Sequence, residues 1–421
     1  CIRDRYYRVP ETLLQDGRMS EDLPYGSRGG IAVRHHFPAD GEYVIQVRLQ
    51  RNYRDYIRGL VNRKHYLDVR MNSERIRLFE FGGEKHGRSS GLFSTSAQGD
   101  VKQEQYERYA DHALEVRFEA EAGPQLITAA FLDENFIAEG PLVPEQTRYD
   151  YTQFKGGDPA LRTLAIGGPF DARGIGQTGT RNRILTCRPA KNADDACAHS
   201  ILNRLARHAY RRPPREKELD VLLDFYRQGQ EANGFEAGIG LALERMLAGP
   251  EFLFIVERVP AGLGSGELYR IPDLELASRL SFFIWSQIPD PELLDLAEAG
   301  RLSDPDVLES QVRRMLDDPR STALVENFAA QWLTLGKLNV AAPDIEIFPY
   351  FDENLRRAFR TETQLFVEYV LGAERPLLEL LTADYTFVNE RLARHYGING
   401  VRGNHFRKVE LPDATRGGLL G

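Results

Sequence analysis

The sequence predicts a multidomain protein in which an N-terminal all-β sandwich is followed by all-α helical bundle domains. Apolar residues recur at every second position over residues 29–143, and after Cys187 they recur at the spacing of a helix. Strands grouped first and helices grouped afterwards are typical of separate domains rather than of one mixed sheet. A chain of 421 residues is long enough for several such domains.

The change of period divides the chain into six predicted segments. In chain order they are an irregular N-terminal segment (1–28), the β-sandwich (29–143), a connector (144–186), a first helical domain (187–260), a second helical domain (267–382) and the start of a further module (383–421). The connector is rich in Gly and polar residues, and a Gly-rich link at residues 261–266 separates the two helical domains.

Strands are predicted where buried and solvent-facing residues alternate. Tyr43, Ile45, Val47 and Leu49 show the pattern most clearly, and it recurs at residues 67–71, 114–118 and 127–131. Turn signals at residues 38–41 and 122–124 separate these runs, as in a sandwich of short strands. One apolar run in the connector, residues 164–170, is expected to add a strand at a sheet edge.

Helices are predicted from the 3.6-residue period and from capping signals. They cover residues 196–209, 214–231, 235–248, 273–285, 290–299, 303–316, 321–335, 352–371 and 388–396. Ser303 is expected to cap the sixth of these helices, and Gly397 is expected to end the last one in the left-handed conformation.

The charge and the hydropathy pattern disfavour two classes of function. The chain has 54 basic and 62 acidic residues, a formal net charge of −8, whereas a general nucleic-acid binder carries a basic surface. No apolar run approaches the roughly 18 residues that a membrane span needs, so no span is predicted.

The cysteines give information about the cellular compartment of the protein. Cys187 and Cys197 bracket a short polar loop, and the alternatives for them are a disulfide, two buried thiols or a metal site. A metal site needs more ligands than His199 supplies. We therefore favour a disulfide between Cys187 and Cys197, which predicts an oxidising compartment.

One carboxylate stands out in the helical region. On the helix predicted at residues 352–371, apolar residues at i, i+4, i+11 and i+14 from Leu355 form one stripe, and Glu362 lies in the middle of it. A carboxylate in that place is either a general acid or base, or a metal ligand, in a cleft, or it belongs to a buried ion pair. Arg279, on a mostly apolar helix, is the expected partner, and we favour the ion pair.

A second candidate site lies in the predicted sandwich. The loop at residues 52–58 mixes aromatic and charged groups, and Tyr53, Asp55 and Tyr56 are candidates for stacking on a sugar ring and bonding its hydroxyl groups. Asp55 and Asp68 are candidates for a calcium site. The alternative is a sandwich with a purely architectural role.

The motifs of several well-defined sites are absent from the sequence. It contains no His-Glu-x-x-His or P-loop motif. It also lacks Cys-x-x-Cys-His, so no haem attachment and no organic cofactor are predicted within these residues.

Several stretches of the sequence resemble three modules whose function is unknown. Residues 187–189 (Cys-Arg-Pro), 196–198 (Ala-Cys-Ala) and 206–213 (Ala-Arg-His-Ala-Tyr-Arg-Arg-Pro) resemble the domain of unknown function 1595. Residues 271–285, which end in Ser-Phe-Phe-Ile-Trp, and 328–333 (Phe-Ala-Ala-Gln-Trp-Leu) resemble domain 1592. The tail from residue 383, Ala-Asp-Tyr-Thr-Phe-Val-Asn-Glu, resembles the start of domain 1588.

The resemblance implies a setting but no reaction. Proteins of this planctomycete-type family are large and exported, and they commonly carry a c-type cytochrome segment and a carbohydrate-binding-like sandwich before the helical modules. It therefore implies that this chain is a fragment of a secreted, periplasmic or cell-surface protein. Its partners would then be the missing cytochrome and C-terminal modules, with haem c only in the missing part.

Three functional hypotheses remain open from the sequence. In the first, the sandwich binds polysaccharide and the helical modules dock a redox domain or another partner. In the second, the protein is an enzyme with an active site in the helical region around Glu362. In the third, it is a structural cell-surface protein without a small ligand.

Overall fold

In the computed structural model of the protein, most of the chain can be described residue by residue. The described residues are 4–61, 63–90, 99–132, 157–172, 176, 178–187, 189, 194–255, 262, 264, 266–344, 346–348, 350–372, 375–411 and 416–420. The first part of the predicted connector, residues 144–156, lies outside them.

The N-terminal part is an antiparallel β-sandwich, as the alternation predicts. One sheet has the strand order β1-β8-β3-β6 and the other β2-β7-β4-β5. The strands are β1 (Arg5–Arg8), β2 (Ser27–Phe37), β3 (Gly41–Leu49), β4 (Lys64–Met71), β5 (Glu74–Gly82), β6 (Glu115–Ala120), β7 (Gly123–Leu132) and β8 (Leu161–Phe170). Side chains from both sheets form one core, in which Ile45 and Val47 of β3 cluster with Leu67 of β4 and Phe131 of β7.

The sandwich extends further in both directions than the predicted range of 29–143. The segment predicted to be irregular contributes β1, which pairs with β8, and its Val9 and Leu13 lie in the sandwich core. The run expected at a sheet edge is the interior strand β8, since it pairs with β1 on one side and β3 on the other. Gly167 and Gly168 interrupt the apolar alternation within β8, which explains why its central position is not evident from the sequence.

One helix of the sandwich was not predicted. Helix α1 (Val101–Tyr109) and a 3₁₀ turn (Ala110–Ala113) connect β5 to β6. The residues that α1 buries are Gln103 and Glu107, so the helix has no apolar stripe for a periodicity argument to detect.

Three helices of the first helical module lie near their predicted bounds, and two short ones were not predicted. Its helices are α2 (Gly179–Ile184), α3 (Asp194–Ala209), α4 (Glu216–Asn233), α5 (Phe235–Ala248) and α6 (Pro250–Leu253). Leu202 of α3, Tyr226 of α4 and Met246 of α5 belong to one core cluster. Pro250 begins α6 at the position where the missing amide hydrogen costs least.

The second helical module begins with three helices near the predicted bounds. They are α7 (Asp273–Trp285), α8 (Pro291–Glu298) and α9 (Pro305–Asp317). Trp285 is fully buried in their shared core, and its Nε1 donates to the carbonyl of Met315 at 2.8 Å. The predicted cap of α9 is off by one residue, because the carboxylate of Asp304, rather than Ser303, accepts from the backbone nitrogen of Asp306.

The helix predicted at residues 321–335 is broken into pieces. A π-helical segment (Leu324–Ala329) leads into the short α10 (Ala330–Trp332), and a 3₁₀ turn (Leu335–Asn339) follows. Thr334, between these pieces, has φ 54, which is unusual for a β-branched residue. Insertions of π geometry are frequent at functional sites.

The last part combines helices with a small hairpin. Its elements are α11 (Glu353–Gly372), α12 (Glu379–Thr382), β9 (Tyr385–Val388), α13 (Glu390–Tyr396) and β10 (Arg407–Glu410). The predicted helix from residue 388 begins later, because β9 pairs with β10 and Asn389 then caps α13. As predicted, Gly397 ends this helix with φ 73.

The N-terminal segment connects the sandwich to this last part. The side chain of Asn354 on α11 accepts from the backbone nitrogen of Leu14 at 2.8 Å and donates to its carbonyl at 3.0 Å. The side chain of Asn404 donates to the carbonyl of Arg18. No described helix combines enough length with enough apolar character to span a bilayer.

Candidate functional sites

The loop that follows β3 is held in one conformation from within. The Oδ1 of Asn52 accepts from the backbone nitrogens of Arg54 at 3.0 Å and Tyr56 at 3.1 Å. The backbone nitrogen of Ile57 donates to the carbonyl of Glu107 on α1 at 2.9 Å. Asp55 has φ 66, a conformation that needs such support in a residue other than glycine. The loop is therefore preorganised.

Tyr56 is part of this support, and its predicted role as a ligand-binding residue is wrong. The side chain is buried, and its hydroxyl donates to the carboxylate of Glu104. The same hydroxyl accepts from Nη2 of Arg108 at 3.1 Å, and the Arg108 guanidinium lies 4.4 Å from the ring centroid. Burial and the Glu104 carboxylate raise the pKa of Tyr56. Its ring and hydroxyl are thus already bound within the protein.

Tyr53 and Asp55 face outward beside α1. Tyr53 is 61% exposed, and the guanidinium of Arg54 lies 5.2 Å from its ring centroid. Tyr109, at the end of α1, is 50% exposed. Besides the Tyr56 hydroxyl, the charges of Tyr109 and Asp55 help to raise the pKa of Arg108. We call Tyr53, Arg54, Asp55, Arg108 and Tyr109 the loop surface. Arg108 and Tyr109 could not be included from the sequence, because they lie on a helix that was not predicted, far from the loop along the chain.

The two predicted calcium ligands belong to separate ion pairs. Asp68 is buried, and its carboxylate accepts from Nε of Arg75 at 2.7 Å and Nε of Arg70 at 2.8 Å. The carboxylate of Asp55 lies 3.1 Å from Nη1 of Arg51. Because arginine already neutralises Asp68, the structure corrects its assignment as a metal ligand. Among the described residues, no group of three or more His, Cys, Asp or Glu side chains is arranged to hold a metal ion.

Glu362 lines a cavity of about 450 Å³ in the helical region. The floor is α11, and the walls are the 3₁₀ turn (Leu335–Asn339), β9, α13 and residues 416–419. The Oε1 of Glu362 accepts from the hydroxyl of Thr386 at 2.5 Å, and Oε2 accepts from the hydroxyl of Tyr396 at 2.7 Å. We call this space the Glu362 cavity. Glu362 therefore borders a cavity instead of forming the buried ion pair that the sequence favoured.

The electrostatics of the Glu362 cavity follow from burial. Desolvation raises the pKa of Glu362, although the hydroxyls of Thr386 and Tyr396 and the charge of Arg416 partly oppose it. Desolvation and the carboxylate of Glu362 together raise the pKa of Tyr396. The guanidinium of Arg416 lies 4.3 Å from the centroid of the Tyr396 ring.

The predicted buried ion pair between Glu362 and Arg279 is replaced by these contacts. Arg279 is exposed on α7, whereas the groups that bond Glu362 are neutral hydroxyls on β9 and α13. A helical stripe identifies the buried face of α11 but not the element that packs on it, so the sequence could not supply Thr386 or Tyr396.

The predicted disulfide is confirmed. Cys187 and Cys197 are bonded to each other, and both pack against the core of the first helical module. The bond joins the segment before α3 to the first turn of that helix.

Comparisons with known proteins agree with the helical modules and leave their activity open. The profile of the family described as PSD5, a protein of unknown function (DUF1595), matches residues 197–257. The profile of PSD4, a protein of unknown function (DUF1592), matches residues 271–398 and so includes the first part of the segment predicted to open the next module. No curated protein matches the chain.

A search of solved structures found a likeness to the native structure of a family 35 carbohydrate binding module from Clostridium thermocellum. The two are 12% identical, and the likeness covers 39% of this chain and 90% of that one, with a TM-score of 0.18. At this TM-score we infer nothing about ligand binding from it.

Proposed function

We propose that the protein is a secreted, periplasmic or cell-surface protein whose sandwich binds polysaccharide through the loop surface. The observation that carries the proposal is the outward exposure of Tyr53 and Tyr109 on a backbone that is fixed by hydrogen bonds from below. Aromatic rings expose an apolar face and a polar edge, and this combination suits a sugar ring with its C–H faces and hydroxyl groups.

The charged groups of the loop surface supply the polar contacts. Asp55 offers carboxylate oxygens that accept hydrogen bonds from sugar hydroxyls, and the side chain remains 60% exposed despite its pairing with Arg51. Arg54 and Arg108 are donors held next to tyrosine rings. Such a mixed surface matches a neutral or acidic polysaccharide better than an apolar ligand.

The rigidity of the loop at residues 52–58 favours the binding of polysaccharide at an exposed surface. A loop that is ordered before binding loses little conformational freedom when the ligand arrives. Asn52 and the contacts to α1 fix the loop on folding, so contacts from two tyrosines are sufficient for measurable binding.

The disulfide supports the proposed compartment. Structural disulfides persist in secreted and periplasmic proteins and are rare in the reducing cytosol. Alkylation of free thiols in protein isolated from the native host, followed by mass spectrometry, should find Cys187 and Cys197 protected. Modification of both residues would contradict the proposal.

Binding is tested with a broad glycan array followed by isothermal titration with each hit. Tyr53→Ala and Tyr109→Ala should each weaken binding by roughly tenfold or more, since each removes a stacking surface. Tyr6→Ala is the matched control, because Tyr6 is 59% exposed on β1 of the same sandwich. An array without hits, or an equal loss in the Tyr6 variant, would leave the purely structural role as the better explanation.

The proposed association with a c-type cytochrome rests on the family resemblance alone. An absorption spectrum of the natural full-length protein, purified from an exporting host beside the present chain, tests it. We expect a Soret band in the full-length protein only, and its absence there would remove haem from the account.

A further inference from the structure

We infer that the Glu362 cavity is a binding site for a small hydroxy acid, that is, a ligand with a hydroxyl group, an apolar body and a carboxylate. The carboxylate would lie at Lys337 and Arg416, the apolar body between the hydrophobic walls, and the hydroxyl at Glu362. This site lies outside the sandwich and does not depend on glycan binding.

The shape and lining of the cavity suit a small organic ligand. Its volume of about 450 Å³ falls in the range that small-molecule sites occupy, roughly 300–1,000 Å³. Phe359 and Phe366 of α11, together with Leu335, Leu338 and Leu419, supply apolar walls. A few polar groups in a mainly apolar cavity are the usual means of orienting such a ligand.

Glu362 retains hydrogen-bonding capacity toward the cavity. Each carboxylate oxygen can accept about two hydrogen bonds, and each receives one from a neighbouring hydroxyl, that of Thr386 or Tyr396. Those two hydroxyls also fix the carboxylate in place. A hydroxyl on a ligand is therefore the donor that this group is placed to receive.

The charged residues of the lining select the other end of the ligand. Lys337 and Arg416 both line the cavity and are exposed, which places two cations against one partly desolvated carboxyl. Neither cation forms a salt bridge with a carboxylate among the described residues. The guanidinium of Arg416 is positioned by the ring of Tyr396, 4.3 Å away. This excess of positive charge favours a ligand with a negatively charged group and disfavours a ligand with a protonated amine.

One wall of the cavity is built from an uncommon backbone. Thr334 lines the cavity with φ 54, directly after the π-helical segment and α10. A regular helix through residues 321–335 would carry Leu335 and Leu338 away from their present positions beside α11. The break in this helix thus supplies part of the wall of the Glu362 cavity.

A matched set of four probes tests the inference by ligand-observed NMR and isothermal titration on the whole chain. The set is 3-(4-hydroxyphenyl)propionate, 3-phenylpropionate without the hydroxyl, neutral tyrosol, and tyramine with an ammonium in place of the carboxylate. We expect 3-(4-hydroxyphenyl)propionate to bind best. Phenylpropionate, which lacks the hydroxyl, and tyrosol, which lacks the carboxylate, should each bind about tenfold more weakly. Tyramine should not bind detectably.

Substitutions of the residues that line the Glu362 cavity test which part of the ligand each of them contacts. Lys337→Gln and Arg416→Gln should each weaken hydroxyphenylpropionate by about tenfold, with little effect on tyrosol. Glu362→Leu, which has no hydrogen-bond acceptor, should abolish the advantage of hydroxyphenylpropionate over phenylpropionate. Arg402→Gln is the control, because Arg402 is an exposed arginine of the same region that pairs with Glu390. Lys337 is exposed, so its substitution keeps the test valid even if the Glu362 variant folds poorly.

Two results would overturn the inference. One is tyramine binding as tightly as the acid, which would make the cavity a site for cations. The other is the absence of any binding by the whole set at millimolar concentration, or binding that none of the three variants alters. Tyr53→Ala should leave probe binding unchanged, so failure of the glycan proposal and failure of this one give different results.

Discussion

The buried carboxylates Asp111 and Asp68 of the sandwich differ from Glu362 of the helical region in the groups that bond them. In the sandwich, Asp111 is fully buried and accepts from Nη2 of Arg51 at 2.9 Å and from the backbone nitrogen of Leu49 at 3.0 Å. Asp68 is likewise neutralised by two arginines. In the helical region, Glu362 is bonded by two neutral hydroxyls and borders a cavity.

The difference separates carboxylates that maintain the fold from one that is available to a ligand. Asp111 has a cation and a backbone donor, so its charge is compensated within the protein. Glu362 has a rigid position but only partial compensation, and burial raises its pKa as a result. Perturbed carboxyl groups beside cavities are typical of functional sites.

Removal of a compensated carboxylate should produce the largest loss of stability. Asp111→Ala leaves the guanidinium of Arg51, whose side chain is 13% exposed, without its buried partner. We expect the free energy of unfolding to fall by about 3–5 kcal/mol, measured by urea unfolding. The control is Asp55→Asn, which removes the charge of the exposed partner of the same arginine, keeps a residue type that tolerates positive φ, and should cost less than about 1 kcal/mol. Equal losses would mean that burial does not distinguish the two pairs.

Loss of the disulfide should cause the next largest decrease in the free energy of unfolding. This loss of stability should be confined to the helical region. The bond joins residues 10 apart, and the chain-entropy relation then predicts a loss of about 3 kcal/mol. Calorimetry of the Cys187→Ser/Cys197→Ser double variant should show a lower transition temperature for the first helical module. A parallel shift of the sandwich transition would show that the two regions unfold together and would weaken the comparison between them.

A conservative pair of tyrosine variants tests the division of roles within the loop. Tyr56→Phe removes the hydroxyl that bridges Glu104 and Arg108 and should cost about 1–2 kcal/mol. Tyr53→Phe removes an exposed hydroxyl and should change the free energy of unfolding by less than about 0.5 kcal/mol. Chemical unfolding of both proteins measures the difference. A larger loss for Tyr53→Phe would contradict the assignment of Tyr56 as support and Tyr53 as surface.

The smallest expected effect is a pH dependence at Glu362. Because its pKa is raised above the ordinary value of 4.5 in the folded protein, the stability that this group contributes is fully present below the unfolded pKa and is lost as pH rises through the folded pKa. Glu362→Gln does not ionise, so its stability relative to the original protein should increase from pH 4 to pH 8. Urea unfolding across that range tests this, with Glu309→Gln as the control, since Glu309 is an exposed residue that pairs with Arg313. If the difference in stability between Glu362→Gln and the original protein does not change with pH, burial does not raise the pKa of Glu362.

Local pattern alone was sufficient for several features of the protein. The alternation at Tyr43, Ile45 and Val47 predicted β3, and the helical period predicted α5 at its observed bounds. The stripe on α11 placed Glu362 among apolar neighbours. These features follow from sequence because period and caps are properties of a few consecutive residues.

Other features depended on contacts between distant parts of the chain. The interior position of β8 results from pairing with β1 and β3, and α1 buries polar side chains that show no period. The break at Thr334 replaces a helix that the sequence favours. In each case tertiary packing overrides or supplements the local preference.

The sequence by itself determined the order of a sandwich and helical modules, the disulfide and the presence of a carboxylate on an apolar helix face. Only the tertiary structure decided that Tyr56 turns inward while Tyr53 turns outward, and that hydroxyls of Thr386 and Tyr396 replace the expected arginine at Glu362. The reason is that periodicity reports whether a side chain is covered, whereas the chemistry of a site depends on which distant residues cover it.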